Sequence, residues 1–342
     1  MSGPIAMAIP ERERRSIVRL VLVAFWLLVF EGALRKWVAP QVSAYLYFLR
    51  DPLTLYICFL AWRCGVFRER SALLLAGMAM GALAALLAVM HIVASSGQYT
   101  PLLAIYGLRN YFFYIPFAFV VGRCFRFEDV CALGRHCLVA MLVAAPIAVL
   151  QFNAPSNSPL NVGIAADSRL QFDNLVSGGG KVRPAGTFTS VVGMTQLIVV
   201  CVIFLTWAWT TSRRPPPVNL WFGRIAAVAT AAALGVSGSR TSFVHVSLVI
   251  GAAVAVAPLL PGIGTKLRLV AIPVLVVVAF TVLFPILLPE AFASFMSRWE
   301  DAAATEGERF SLGLMGRALH GFYDFFRLLG EMPVFGYGVG MA

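Results

Sequence analysis

The chain has few charged residues for its length of 342 residues, since Asp, Glu, Lys and Arg together make up only 13% of it. Hydrophobic residues make up 60% of the sequence, and the mean hydropathy is +0.83. A disordered protein needs low hydrophobicity and abundant charge, so this composition excludes one. It also argues against a soluble enzyme, whose surface would require many more polar side chains.

Several motifs of metal and cofactor chemistry are missing. The six cysteines have no Cys-x-x-Cys spacing, so neither a zinc site nor a redox pair is indicated. The sequence has no Asp-x-Asp pair for a metal-held sugar nucleotide, no P-loop, and no glycine-rich dinucleotide loop after a strand. No series of acidic residues runs through the apolar segments, which argues against a proton pump or cation carrier. The sequence therefore predicts no metal and no cofactor.

Apolar runs of about 20 residues recur along the chain, and this is the length that crosses a bilayer as a helix. They predict an all-α, polytopic integral membrane protein with about nine transmembrane helices. The predicted spans are 17–36, 44–65, 71–94, 103–122, 134–152, 187–210, 221–237, 241–258 and 267–289.

The distribution of basic residues predicts the orientation. With a cytoplasmic N-terminus, the inner side holds 15 of the 27 basic residues and five of the 16 acidic ones, while the outer side is nearly neutral. Positive charge on the inner side is what the positive-inside rule requires. The formal charge of +11 is thus a signal of topology, and nucleic acid is not needed to explain it. No convincing cleavage site follows the first apolar run, which predicts a retained helix.

The spans divide the chain into four regions. Residues 1–152 form an N-terminal transmembrane bundle of about five spans, and 153–186 form an extracytoplasmic loop rich in Asn, Pro, Ser and Gly. Residues 187–289 form a second transmembrane region of about four spans. Residues 290–342 mix charges with amphipathic runs and open an extracytoplasmic helical subdomain.

Arg240 is one of several arginines that this topology does not explain. It lies in the short junction Ser-Gly-Ser-Arg-Thr-Ser (237–242) between the seventh and eighth spans. Backbone N–H groups of such a turn, the hydroxyls of Ser239 and Thr241, and a guanidinium group can converge on a phosphate or diphosphate. The alternative is an arginine that extends to the lipid headgroups.

Arg183 stands where the outer loop re-enters the membrane. Thr187 or Thr189 is predicted to cap the sixth span, which would place the positive end of that helix beside Arg183. A helix N-terminus with an adjacent arginine favours an anion site. The alternative is an interfacial anchor.

Two further arginines are candidate ligand contacts. Arg109 lies about two turns inside the fourth span, where it needs an ion-pair partner such as Glu31 or Asp51, or else a ligand. Arg317 lies on the outer tail, in an amphipathic segment that also contains His320, a conceivable general base. A solvated helix is the alternative for this segment.

Three segments in this order resemble a known family: Arg183 to Phe188, Ser237 to Thr241, and Gly316-Arg317 followed by the glycine-rich stretch 331–340. The chain looks like a member of the O-antigen ligase and Wzy-type polymerase family of bacterial envelope glycosyltransferases. The resemblance covers most of the chain and is strongest over residues 180–342.

The resemblance implies a metal-independent transfer of a glycan from a polyprenyl-diphosphate carrier to a hydroxyl acceptor. The acceptor would be the lipopolysaccharide core or a growing polysaccharide, at the outer face of the bacterial inner membrane. It implies that Arg183 and Arg240 are catalytic and that Arg317 binds the donor. The family also has a histidine in its large outer loop, which we expect beyond Ala342 and which His320 does not match.

Two other functions fit the same residues. One is a transporter or flippase of a lipid-linked or anionic solute, because arginines lining an outward cavity would serve it equally well. The other is a catalytically incomplete membrane scaffold. An assay of glycan transfer beside an assay of transport distinguishes the three.

Overall fold

The computed structural model describes residues 9–68, 71–94, 100–163, 180–211, 218–259 and 262–306, with four isolated positions nearer the C-terminus. Helix dominates these residues, and no β-strand forms among them. The predicted all-α fold is therefore confirmed for the part of the chain that is described.

The described residues form twelve α-helices and two π-helical segments, of which Leu34–Val38 follows α1 and Arg109–Phe113 lies between α5 and α6. The helices are α1 (Glu11–Ala33), α2 (Ser43–Leu46), α3 (Asp51–Arg63), α4 (Ala72–Ala94), α5 (Pro101–Leu108), α6 (Tyr114–Cys124), α7 (Phe127–Asn153), α8 (Val191–Thr210), α9 (Leu220–Val236), α10 (Arg240–Val256), α11 (Ile263–Leu287) and α12 (Pro289–Glu306).

Seven helical segments of the described chain are long and apolar enough to cross a bilayer. Each coincides with one of the nine predicted spans, and α9, with 17 residues, is a shorter apolar helix at the position of an eighth. The structure therefore supports a polytopic membrane protein, but it does not confirm the count of nine. The seven are Glu11–Val38, Ala72–Ala94, Pro101–Cys124, Phe127–Asn153, Val191–Thr210, Arg240–Leu259 and Lys266–Leu287.

The predicted span 44–65 is interrupted. The short helix α2 ends at Leu46, and α3 begins only at Asp51, with Pro52 in its first turn. Proline lacks an N–H group and is favoured in the first turn of a helix, where that donor would have no partner, so Pro52 suits the start of α3. At 1.5 Å per residue, the 13 residues of α3 extend about 20 Å, well short of a hydrocarbon core of about 30 Å.

Contacts divide the chain into two compact units. The helices of the first lie within Met1–Ala24 and Arg50–Arg126, and those of the second within Phe25–Leu49 and Phe127–Gly307. Helix α1 contributes its first half to one unit and its end to the other. The four-region division predicted from the sequence stays a prediction.

The first unit has its own apolar core, in which Ile17 of α1, Ile57 of α3 and Val120 of α6 are completely buried. The second unit is organised around α7, which packs against α8 and α9. Ala140, Ala144 and Ala148 are fully buried at four-residue spacing along α7. Small residues at this spacing let membrane helices approach closely.

Candidate functional site

The segment that carries Arg183 folds against α7 through a glycine turn. Gly186 adopts a φ of +58°, a conformation that favours glycine, and its N–H donates to the Oε1 atom of Gln151 at 2.8 Å. The Gln151 side chain is buried, and its amide also donates to the carbonyl of Leu160 at 3.1 Å. The turn directs Phe188 into the core of the second unit.

Helix α8 begins later than the sequence predicted. Its first residue is Val191, and its N-cap is Ser190, whose side chain makes no capping hydrogen bond. The prediction that Thr187 or Thr189 caps this helix is therefore wrong. Thr187 is buried with an unpartnered hydroxyl, and Thr189 is exposed. The reason is the Gly186 turn, which keeps the chain out of the helix for four more residues.

The junction between α9 and α10 is a tight turn stabilised by its own serines. Gly238 has a φ of +53°, and the N–H of Ser239 donates to the Ser237 hydroxyl at 3.3 Å. Ser239 is the N-cap of α10, because its hydroxyl accepts from the N–H of Ser242 at 3.4 Å. The N–H groups of Ser239 and Ser242 are therefore already bonded within the turn. Thr241 is exposed beside it.

A third arginine reaches this turn from α12. Arg298 is 9% exposed, and one of its terminal nitrogens donates to the carbonyl oxygen of Gly238. Helix α12 is also held near its start, where Glu290 pairs with Lys181 at 2.6 Å. It is thus connected both to the segment of Arg183 and to the turn of Arg240.

The three arginines 183, 240 and 298 lie within electrostatic reach of one another, and we call them the arginine cluster. Burial, together with the charges of Arg183 and Arg240, lowers the pKa of Arg298 to about 10, while Asp301 acts in the opposite direction. Burial and the charge of Arg240 also lower the pKa of Arg183. Desolvation and like charges both disfavour a protonated group, so an anion bound here would relieve an unfavourable arrangement.

Arg183 has a hydrogen-bond donor that is not used in this arrangement. Its Nε atom is buried and has no hydrogen-bond partner among the described residues. A buried donor without a partner loses its interaction with water and gains nothing in return, so a ligand oxygen at this position would be favourable.

An apolar pocket of about 340 Å³ is lined in part by the two helices that carry Arg240 and Arg298. It is enclosed by α8 to α12, and its lining includes Phe243, one turn after Arg240, and Phe295, one turn before Arg298. The two rings lie 4.5 Å apart between their centroids. The three arginines lie outside the lining of the pocket, but residues three apart on a helix are neighbours on its surface, so Phe243 and Phe295 connect the pocket to Arg240 and Arg298. A basic end with an apolar extension suits an anionic, lipid-like molecule.

The structure thus brings together Arg183 and Arg240, the two residues predicted to be catalytic. The sequence analysis missed Arg298, although its signal was present. Phe292, Phe295 and Arg298 recur every three residues on α12, which is the pattern of a helix with one packed face. Ser239, predicted to contact substrate, serves as a helix cap.

Arg109 lies in the first unit and forms an ion pair, one of the two alternatives that its position predicted. Its Nε and a terminal nitrogen donate to the two oxygens of Asp51 at 2.6 and 3.0 Å, and the Tyr114 hydroxyl also donates to this carboxylate. Arg109 is 8% exposed. Glu31, the other candidate partner of Arg109, instead pairs with Arg35 one turn later, at 3.2 Å.

Arg317 and His320 lie outside the described residues, so their predicted roles stay predictions. Within the described ranges, no group of three or more His, Cys, Asp or Glu side chains is arranged to hold a metal ion.

Comparison of the chain with family models, with curated proteins and with solved structures finds no match. The residues and geometry described above are therefore the basis for any functional conclusion.

Proposed function

We propose that this protein is a membrane glycosyltransferase that transfers a glycan from a polyprenyl-diphosphate carrier to a hydroxyl acceptor. The acceptor is the lipopolysaccharide core or a growing polysaccharide. The observation that carries the proposal is the arginine cluster, two members of which lie on helices that also line an apolar pocket.

The charge of the cluster favours a diphosphate as its ligand. Three guanidinium groups are partly buried there, and Asp301 is the acidic residue that acts on Arg298. A diphosphate carries several negative oxygens, and each arginine can bind them through two parallel N–H donors. A simple lipid headgroup with one phosphate would engage fewer of these donors.

The pocket favours a ligand with a hydrocarbon chain. Its volume of about 340 Å³ lies in the range of small-molecule sites, which begins at about 300 Å³. Its lining is almost entirely apolar, with aromatic rings from α10, α11 and α12. The first prenyl units of the carrier would lie there while the diphosphate contacts the arginines.

In the proposed reaction the acceptor oxygen attacks the anomeric carbon of the lipid-linked sugar. The bond between that carbon and the diphosphate oxygen breaks, and the diphosphate leaves with the electron pair. The proton of the acceptor hydroxyl passes to a base or to solvent. Arg183 and Arg240 stabilise the negative charge that develops on the leaving group, and Arg298 supplies a third positive charge.

We place the protein in the bacterial inner membrane with its N-terminus in the cytoplasm, on the charge distribution described above. The cluster then faces the periplasm, where the lipid-linked donor and the acceptor meet. Arg317 remains a proposed contact of the donor.

Arg240→Ala tests the proposal. In proteoliposomes that contain a polyprenyl-diphosphate glycan and an acceptor, we expect the substitution to abolish transfer and to leave the amount of protein in the membrane unchanged. Arg224→Ala is the matched control, because Arg224 is exposed on α9 and stacks on Trp221 instead of entering the cluster.

Transfer at the wild-type rate by the Arg240→Ala protein would contradict the proposal. Movement of the carrier across the membrane without any transfer to the acceptor would instead support a flippase.

A further inference from the structure

The end of the first membrane helix lies directly against the segment that carries Arg183. Gly32 of α1 packs on the backbone of residues 187–189 so closely that a Cβ atom at this position would overlap the carbonyl carbon of Phe188. The neighbouring atoms are backbone, which cannot rotate away as the end of a flexible side chain can. A glycine is therefore required for this contact.

Lys36 strengthens the same contact one turn later. Its side chain is 6% exposed, and its Nζ atom donates to the carbonyl oxygen of Phe188 at 2.5 Å. Within the described ranges, no carboxylate pairs with Lys36. Burying an ammonium group for a single backbone carbonyl is costly, so this interaction serves a purpose beyond general packing.

Local geometry gives Lys36 this position. It lies in the π-helical segment Leu34–Val38, and the preceding arginine points elsewhere, since Arg35 pairs with Glu31 and donates to the Ser43 hydroxyl at 3.2 Å. Of these two adjacent cations, Arg35 therefore pairs within its own helix, and Lys36 binds the segment that carries Arg183. Single-turn π-helices are frequent at functional sites.

The Arg183 segment is thus held on two sides. Gln151 of α7 binds the N–H of Gly186, and Lys36 binds the carbonyl of Phe188, two residues further on. Arg183 lies three residues before the first of these points. Releasing either one would let the backbone move relative to Arg240 and Arg298, which other helices hold.

We propose that Lys36 and Gly32 are positioning residues of the arginine cluster, which they support by fixing the backbone of residues 186–189. The proposal rests on the proposed function in one respect, namely that the cluster binds a diphosphate. The backbone effect can be measured without any ligand.

The experiment uses the full chain in nanodiscs and compares wild type with Lys36→Met, Lys36→Arg, Gly32→Ala and Arg183→Gln. Gly251→Ala is the matched control for the glycine variant, because a Cβ atom at Gly251 meets nothing within 4 Å. Amide hydrogen exchange reports the order of residues 186–190, and titration with geranyl diphosphate reports binding at the cluster.

Lys36→Met should increase amide exchange over 186–190 and raise the Kd for geranyl diphosphate by about tenfold, the range expected for one hydrogen bond from a charged donor. Gly32→Ala should do the same, whereas Gly251→Ala should change neither quantity. Lys36→Arg should keep amide exchange over 186–190 and the Kd for geranyl diphosphate close to their wild-type values, because its guanidinium can still donate to Phe188. Arg183→Gln should weaken binding without changing exchange.

Unchanged exchange in Lys36→Met would overturn the proposal, and so would faster exchange combined with an unchanged Kd. If wild-type protein does not bind geranyl diphosphate, the proposed function fails and Lys36 is not a positioning residue for that ligand. Faster exchange in Lys36→Met would then still confirm that it holds the segment. The two failures are therefore distinguishable.

Discussion

Replacing Arg298 with glutamine should weaken the binding of a lipid diphosphate without destabilising the empty protein. Arg298 is desolvated and lies close to two other positive charges, which together lower its pKa to about 10. Removing its charge relieves that repulsion in the absence of ligand. The loss of its hydrogen bond to the Gly238 carbonyl acts in the opposite direction, so the two effects offset each other.

When a diphosphate ligand is present, the loss of Arg298 is expected to be unfavourable. A hydrogen bond between charged groups contributes about 1.5–3 kcal/mol, so the loss of one arginine should raise the Kd at least about tenfold. At a ligand concentration of about 100 times the wild-type Kd, binding stabilises the wild-type protein by about 2.7 kcal/mol. A tenfold weaker variant at the same concentration gains only about 1.4 kcal/mol.

Thermal unfolding in detergent, with and without geranyl diphosphate, measures this difference. Arg224→Gln is the control, since it removes an exposed arginine from the same unit. We expect the control to keep the full ligand-induced shift in Tm and Arg298→Gln to lose about half of it. A full shift in Arg298→Gln would refute the reasoning, because Arg298 would then not contribute to an anion site.

Two other ion pairs make separate predictions. Asp51→Ala removes the carboxylate that neutralises the buried guanidinium of Arg109 and should cost about 3–5 kcal/mol of stability. A double Asp51→Leu/Arg109→Leu variant should recover most of this loss. Unfolding in detergent checks both expectations, and a double variant no more stable than the single one would contradict them. The Lys181 ammonium lowers the pKa of Glu290, so this exposed pair stabilises the protein above the ordinary glutamate pKa of about 4.3 and ceases to do so as the pH falls through the lowered pKa. The unfolding midpoint of Glu290→Gln, followed between about pH 6 and pH 3, should lack this part of the pH dependence that wild type shows.

The sequence predicted the helical membrane fold because apolar length is a direct physical requirement of the bilayer. It failed at residues 44–65, where averaged hydropathy hides the effect of a proline. Arg50, Asp51 and Pro52 lie in the middle of that apolar window. Pro52 has no N–H group to donate to the carbonyl of Phe48, so the helical hydrogen bonding lacks a bond there, and two short helices form in place of one continuous span.

The candidate site was partly predictable for a similar reason. Arg183 and Arg240 stood out because both lie at span ends on the side where the positive-inside rule disfavours them. Arg298 lies in a helix of mixed composition, where an arginine is ordinary, and only folding shows that it reaches Gly238. The contact of Lys36 with Phe188 joins residues 152 positions apart, and no local pattern encodes such a distance.

The two π-helical segments have an evolutionary consequence. Leu34–Val38 ends its helix and Arg109–Phe113 lies between two α-helices, and each includes a buried cation, Lys36 in the first and Arg109 in the second. Because a π-helical turn absorbs one extra residue, a single-residue deletion would restore regular helix and change the direction in which the cation of that turn points, while leaving the phase of any helix beyond it nearly unchanged. Related sequences that keep these cations in place should therefore also keep the length of each π-helical segment, even where the residues themselves differ.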